Sequence, residues 1–351
     1  MNEAKASVER QKLPMNPIRN DWADIAKGIG IMLVVYGHVA RGVMSAKLGS
    51  ESEVLRIADD VIYSFHMPLF FFLSGLFFQS SFVARGRLGM VENKVQTILY
   101  PYVVWSLLQG GVEVLLSKYT NGGATLSELA TLAWQPRAQL WFLYVLFLVF
   151  ALAVLLYPRR RFGTGACILI ALIGAIAFVW SDLIPDVWVL VRLSTSFVFF
   201  SVGVLFSKYE RDLPEVNWWG ISFMLLLFAL CQMLTINHSL QRVSAWMLFV
   251  SLLGTMCVVV MSKRIAVLQP RWLVALGAAS MAIYLMHILA GSGTRIVLSK
   301  VFGIESVSVH LALGTAVGLT APLLADKMIK RFRLTFLYVA PIPSRGQPPT
   351  A

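Results

Sequence analysis

Charge is what this chain has least of. Only 14% of its 351 residues are Asp, Glu, Lys or Arg, while 58% are hydrophobic. A soluble domain carries nearer a quarter charged residues, so this chain has too little polar surface to cover a soluble globule. It is also far too apolar for a disordered chain. Cysteine is scarcer still: Cys167, Cys231 and Cys257 are all there is, each inside an apolar run, which argues against a disulfide framework. The first twenty residues hold no apolar segment and no small-residue cleavage site, so no cleavable signal peptide is expected. Walker loop, dinucleotide fingerprint, HExxH, Gly-x-Ser-x-Gly and metal-ligand spacing are all missing, and the familiar soluble-enzyme chemistries go with them.

What is present is repeated apolar runs. Each is on the order of 20 residues, the length that crosses a bilayer. Ten are expected as spans, at 23–43, 59–82, 96–116, 139–157, 163–181, 187–206, 218–236, 243–261, 272–291 and 307–326. The fold class is therefore an all-α integral membrane bundle. A membrane domain over 21–335 is expected between a disordered tail at 1–20 and a second tail at 336–351, with four prolines from Ala340 onward. The net charge of +12 does not point to nucleic acid, because the basic residues cluster in short segments between spans. With the N-terminus inside, inner segments hold twenty Lys and Arg and outer ones eight. That asymmetry places both termini in the cytoplasm. Trp22, Trp218, Trp219 and Trp272 then fall at inner span ends, and Trp141, Trp180, Trp188 and Trp246 at outer ones. Trp105 sits mid-span, which assigns it to helix packing.

An ionisable group in lipid costs several kcal/mol unless it is paired or faces a cavity. Asp24, Lys27, His38, His66, Glu113, Arg192 and His287 are therefore the candidates for chemistry, with His310 at the margin. Asp24 and Lys27 are three apart and can pair on one helix face. Lys27 and His38 are eleven apart, three turns plus about 20°, so the three side chains share an arc of about 60°. His38 then lies ~16 Å further along the axis than Lys27. Gly28, Gly30 and Gly37 thin this helix and admit a close neighbour. His38, His66, Glu113, Arg192 and His287 should share one layer in the outer half of the bilayer. Outward snorkelling accounts for Glu113 and His310 but not for Arg192 and His66, which sit inside long apolar runs. In the second span Pro68 frees the carbonyl of Ser64, Ser74-Gly75 suits close packing, and Phe70-Phe71-Phe72 reads as lipid-facing bulk. Gly28–His38 and Gly277–His287 share one spacing, too weak a match to define a repeat.

The stretch Asp24-Ile25-Ala26-Lys27-Gly28-Ile29-Gly30 through Tyr36-Gly37-His38 resembles the opening helix of membrane acyltransferase family 3. That family's hallmark is a basic residue, ten intervening residues and a histidine, here Lys27 and His38. Phe65-His66-Met67-Pro68-Leu69-Phe70 through Ser74-Gly75 resembles its second motif. Leu140-Trp141-Phe142-Leu143, Phe199-Phe200-Ser201-Val202-Gly203 and Ser280-Met281-Ala282-Ile283-Tyr284-Leu285-Met286-His287 are similar to later segments. The lysine form is similar to the fucose 4-O-acetylase-like branch.

The resemblance implies an integral membrane enzyme that moves acetyl or another short acyl group from acyl-coenzyme A to a sugar hydroxyl of a surface or exported glycan. The bacterial inner membrane would be its location, and no cofactor is permanently bound. Such a reaction needs a base for the hydroxyl and a donor for the oxyanion. His38 suits the base, Arg192 or His66 the oxyanion donor, and Lys27 with Asp24 the coenzyme A phosphates. An acyl-histidine intermediate and direct transfer both stay open. So does a different class, a proton-coupled transporter or glycan flippase using Asp24, Lys27, His38 and Glu113 as a relay. A non-enzymatic sensor or scaffold fits the buried charges least.

Overall fold

A computed structural model describes residues 21–48, 52–115, 136, 138–158, 163–210, 212–213, 215–242 and 244–342. The expected tail at 1–20 and residues 343–351 lie outside this set. Among the described residues there is no strand, and these residues form a bundle of twelve α-helices. They are α1 (Asp21–Ser45), α2 (Glu53–Leu76), α3 (Phe78–Lys94), α4 (Tyr100–Leu115), α5 (Trp141–Leu156), α6 (Thr164–Val179), α7 (Trp188–Tyr209), α8 (Trp218–Asn237), α9 (Ser244–Ala266), α10 (Arg271–Ala278), α11 (Ser280–Ile296) and α12 (Val307–Arg331). Short π-helical turns follow α3 at Val95–Leu99 and α11 at Val297–Val301.

Each of the ten apolar stretches falls on helix, but the helices do not divide as those stretches do. Among the described residues seven helical segments are long and apolar enough to cross a membrane: Asp21–Ser45, Phe78–Leu115, Trp188–Tyr209, Trp218–Asn237, Ser244–Ala266, Ser280–Val301 and Val307–Arg331. Helices α5 and α6 are apolar but shorter. Helix α2 carries Glu53, Arg56, Asp59 and Asp60 in its first two turns, which lowers its hydropathy, and it ends at Leu76. The ninth stretch is broken at Ala279 between α10 and α11. Apolar side chains crowd the outside of the bundle: Leu169, Leu172 and Ile173 on α6 and Phe223 and Leu226 on α8 are all exposed. An apolar surface of that extent suits lipid rather than water. Trp218, Trp219 and Trp272 stand exposed at one end and Trp180 and Trp188 at the other, as amphipathic rings do at headgroup depth.

Helix α1 is the axis of the bundle, in contact with α2, α9, α10, α11 and α12. Its glycine-thinned face lets α10 come to backbone distance. A Cβ added at Gly277 would stand 1.7 Å from the Asp24 carbonyl oxygen, and one at Gly28 would stand 2.6 Å from that of Leu273. Helices α2 and α7 meet the same way at Gly75 and Gly203, so the Ser74-Gly75 step does serve close packing. The reading of Phe70-Phe71-Phe72 as lipid-facing bulk is corrected. Phe71 and Phe72 are buried and Phe70 partly so, because this tight α2–α7 seam and the rings of Phe142 and Phe206 cover them.

Pro68 costs α2 one backbone hydrogen bond, and its neighbours make up the loss. Ser251 on α9 donates to the Ser64 carbonyl at 2.6 Å, and Gln232 on α8 donates to the Ser64 hydroxyl at 2.7 Å. Ser251→Ala should therefore strand a buried carbonyl and cost about 1–3 kcal/mol. The check is a lower unfolding temperature of the purified protein in detergent. Trp105 has a more specific partner than general packing: its indole Nε1 donates to the Leu337 carbonyl at 2.8 Å. With the Ala340 amide donating to the Gln96 carbonyl, this ties the segment after α12 onto the start of α4.

Candidate active site

Helices α1, α8 and α11 run away from the end of the bundle that holds Trp22, and α2, α7, α9 and α12 run back toward it. The end opposite Trp22 therefore collects the C-terminal parts of α1 and α11 and the N-terminal parts of α2, α7 and α12. His38 lies in the C-terminal part of α1 and Arg192 and His310 near the starts of α7 and α12, while His66 and His287 lie near the middles of α2 and α11. Gly28 sits against α10 near Gly277, and ten residues further along each chain the rings of His38 and His287 lie 5.1 Å apart. The equal glycine–histidine spacing has no common geometry behind it: Gly277 lies on α10, His287 on α11, and the chain breaks at Ala279 between them.

The protein fixes three of these rings through their own helices. His66 Nδ1 is 2.7 Å from the Ile62 carbonyl, His287 Nδ1 2.8 Å from that of Tyr284, and His310 Nδ1 2.9 Å from that of Ser306. A carbonyl only accepts, so each Nδ1 carries the hydrogen and each Nε2 the lone pair. His310 is 1% exposed, which corrects the expectation that it snorkels outward. It is turned into the bundle beside His38 and His287. His38 differs from the other three. It is half-buried, and among the described residues no hydrogen bond holds its ring.

A cavity of about 300 Å³ approaches this cluster from the Trp22 end. Its α1 wall is Lys27, Ile31 and Val34, and the next residue on that helical stripe is His38. Its α11 wall ends at Tyr284, one turn before His287. Lys94 lies in the same cavity, its ammonium 4.1 Å over the Phe150 ring. Lys27 pairs with Asp24 at 3.3 Å and stands over Phe77. This is an apolar slot with two cations along it, and His38 stands one helical turn beyond Val34, the last α1 residue of its lining.

A second cavity of about 300 Å³ lies toward the opposite end, lined by Asp60, Tyr63, Trp141 and Arg192 among others. Met67 lines both cavities. Arg192 rests over the Trp141 and Trp188 rings at 5.0 and 5.9 Å. His66 stacks edge-on to Tyr63 at 5.0 Å. The structure thus brings His38 and His287 into contact, sets Lys27 with Asp24 at the far end of the slot, and places Arg192 in the second cavity.

Residues the sequence did not flag complete the site. Arg41 Nε donates to both Asp59 carboxylate oxygens, at 2.9 and 2.8 Å, and its guanidinium covers the Tyr63 ring at 4.0 Å. This pair clamps the end of α1 to the start of α2. Tyr284 donates to the Gln139 carbonyl, Gln139 to Gln109, and Gln109 to the Leu285 carbonyl, which braces α11 against α4. Asp59→Ala should release Arg41 and loosen the α1–α2 clamp. We expect a lower unfolding temperature of the purified protein in detergent, with the helical circular dichroism signal unchanged at low temperature.

The matched family model is an acyltransferase domain, acyltransferase family 3, and it covers residues 20–326. The chain belongs to that family, and its helices make it a multi-pass membrane protein. Two curated relatives share one name, Nodulation protein NolL. The protein from Mesorhizobium japonicum is 26% identical over 189 residues, which is 53% of this chain and 47% of that one. The protein from Sinorhizobium fredii is 24% identical over 185 residues, 53% of this chain and 48% of that one. The matches thus span about half the length of these relatives. No solved structure matches.

Proposed function

We propose that this chain is an integral membrane O-acyltransferase of the bacterial inner membrane. It moves acetyl or another short acyl group from acyl-coenzyme A to a sugar hydroxyl of a surface or exported polysaccharide. One observation carries the reading: the lysine-lined apolar slot whose α1 stripe, Lys27, Ile31 and Val34, leads to His38. Such a slot suits a long thioester arm with anionic phosphates at one end. In this reading Lys27, held by Asp24, and Lys94 take the phosphates, and the acyl carbon comes to rest beside His38. The second cavity supplies an aromatic face and a carboxylate, groups that take up a sugar ring and its hydroxyls, with the Arg192 guanidinium beside them.

His38 takes the hydroxyl proton as the oxygen attacks the thioester carbon. It returns that proton to the departing thiolate, so acyl group and proton are exchanged without net change. Arg192 offers permanent N–H donors for the oxyanion. His66 spends its Nδ1–H on Ile62 and serves as a second donor only as the imidazolium. Lys27→Gln tests the donor end: the KM for acetyl-coenzyme A should rise about tenfold while kcat stays within about twofold. An unchanged KM would remove Lys27 from the donor site.

A further inference from the structure

Behind the ring pair lies a separate small cavity of about 20 Å³, lined by His38, His287, His310, Arg295 and the thin backbone at Gly42 and Gly291 among others. Its size is that of one water molecule, which needs roughly 10–15 Å³ of this kind of space. Two polar atoms at this cavity's histidines are orphaned. His287 Nε2 and His310 Nε2 are both buried without a hydrogen-bond partner, on residues each 1% exposed. Three imidazoles around one space raise the question of a metal. Among the described residues, however, no group of three His, Cys, Asp or Glu has an arrangement that could hold one.

We infer that this cavity is the site of a single ordered water that His287 and His310 hold against His38, and that this water sets the tautomer of the base. Hydrogen-bond arithmetic fixes its roles. Both orphaned nitrogens are acceptors, since their Nδ1 hydrogens go to backbone carbonyls. The water donates one O–H to each and has no hydrogen left to give. Its lone pairs only accept, one from Arg295 and one from His38. The His38 nitrogen that faces the cavity therefore carries the hydrogen, and the other nitrogen presents a lone pair toward the slot, as a general base must. Four partners is the upper end of what a buried water makes. His287 and His310 are positioning residues in this scheme; they never touch the acyl group. Removing an acceptor lets the water turn a hydrogen toward His38, and the base then populates the wrong tautomer.

The inference rests on the acyltransferase reading, so wild type and His38→Ala are assayed alongside. The test compares His310→Leu, which keeps bulk and loses the acceptor, with His310→Gln, whose Oε1 can accept at a similar reach. With purified protein, acetyl-coenzyme A and a surface-glycan extract, His310→Leu should lower kcat about tenfold or more with both KM values unchanged. His310→Gln should stay within about threefold of wild type. Equal losses in the two variants, or a His310→Leu enzyme as fast as wild type, overturn the water's role while leaving the acyltransferase reading intact. Should His310→Leu not accumulate in the membrane, His287→Leu against His287→Gln makes the same comparison. The reading itself fails separately, when wild type transfers nothing or His38→Ala transfers normally.

Discussion

His38→Ala is expected to reduce acyl transfer by about 10²- to 10⁴-fold, the range that a positioned general base contributes. The KM for both substrates should barely move. The ring of His38 makes no hydrogen bond among the described residues: it is half-buried, and it lies tilted against the ring of His287. Its removal leaves no backbone group unsatisfied, so the variant should accumulate in the membrane and unfold at nearly the wild-type temperature. That separation of chemistry from folding is the point of the experiment. A variant that keeps wild-type kcat removes His38 from the reaction. One that loses activity only because it fails to accumulate makes His38 a structural residue, contrary to its packing.

Gly277→Val is expected to do the reverse and deplete folded protein. The Cβ of any residue here would stand 1.7 Å from the Asp24 carbonyl oxygen, a backbone atom that cannot rotate away. Relief requires α10 to move off α1, and that movement uncovers Ala23, Ala26 and Leu273, all buried at present. Overpacking a well-filled core costs typically 1–3 kcal/mol even where side chains can yield. A backbone clash at the axis of the bundle should exceed that. We expect little or no protein by immunoblot of isolated membranes. Gly293→Ala is the control, since a Cβ there meets nothing within 4 Å, and it should accumulate as wild type does.

The helices were legible because an apolar run of membrane length has few other uses. The pairings between helices were not, for physical reasons that differ case by case. Arg41 reads as an outer-loop charge, and only its 2.8 Å approach to Asp59 shows that it clamps two helices. His310 sits in the first turn of its helix, where snorkelling and burial predict the same sequence. Its burial depends on which neighbours pack there. Phe71 and Phe72 are as apolar as any lipid-facing ring, so the seam made by Gly75 and Gly203 decides their place. The ten-residue step from Gly28 to His38 repeats from Gly277 to His287, but the second pair is split between α10 and α11, so the match stays too weak to define a repeat, and the contact of the two rings follows from the packing of α1 against α11. Lys27 and His38 were readable on one helix face from helical geometry alone, whereas Lys94 reaches the cavity beside Lys27 from a separate helix.

The most direct test of the central claim uses purified, detergent-solubilised protein, acetyl-coenzyme A labelled on the acetyl group, and a surface-glycan extract. Label is expected in the glycan, released by mild base as an O-ester is, from wild type but not from His38→Ala. Label first seen on the protein would identify an acyl-histidine route to the same product. Failure of folded wild-type protein to bind acetyl-coenzyme A, with movement of glycan across vesicles instead, would contradict the account and establish a transporter.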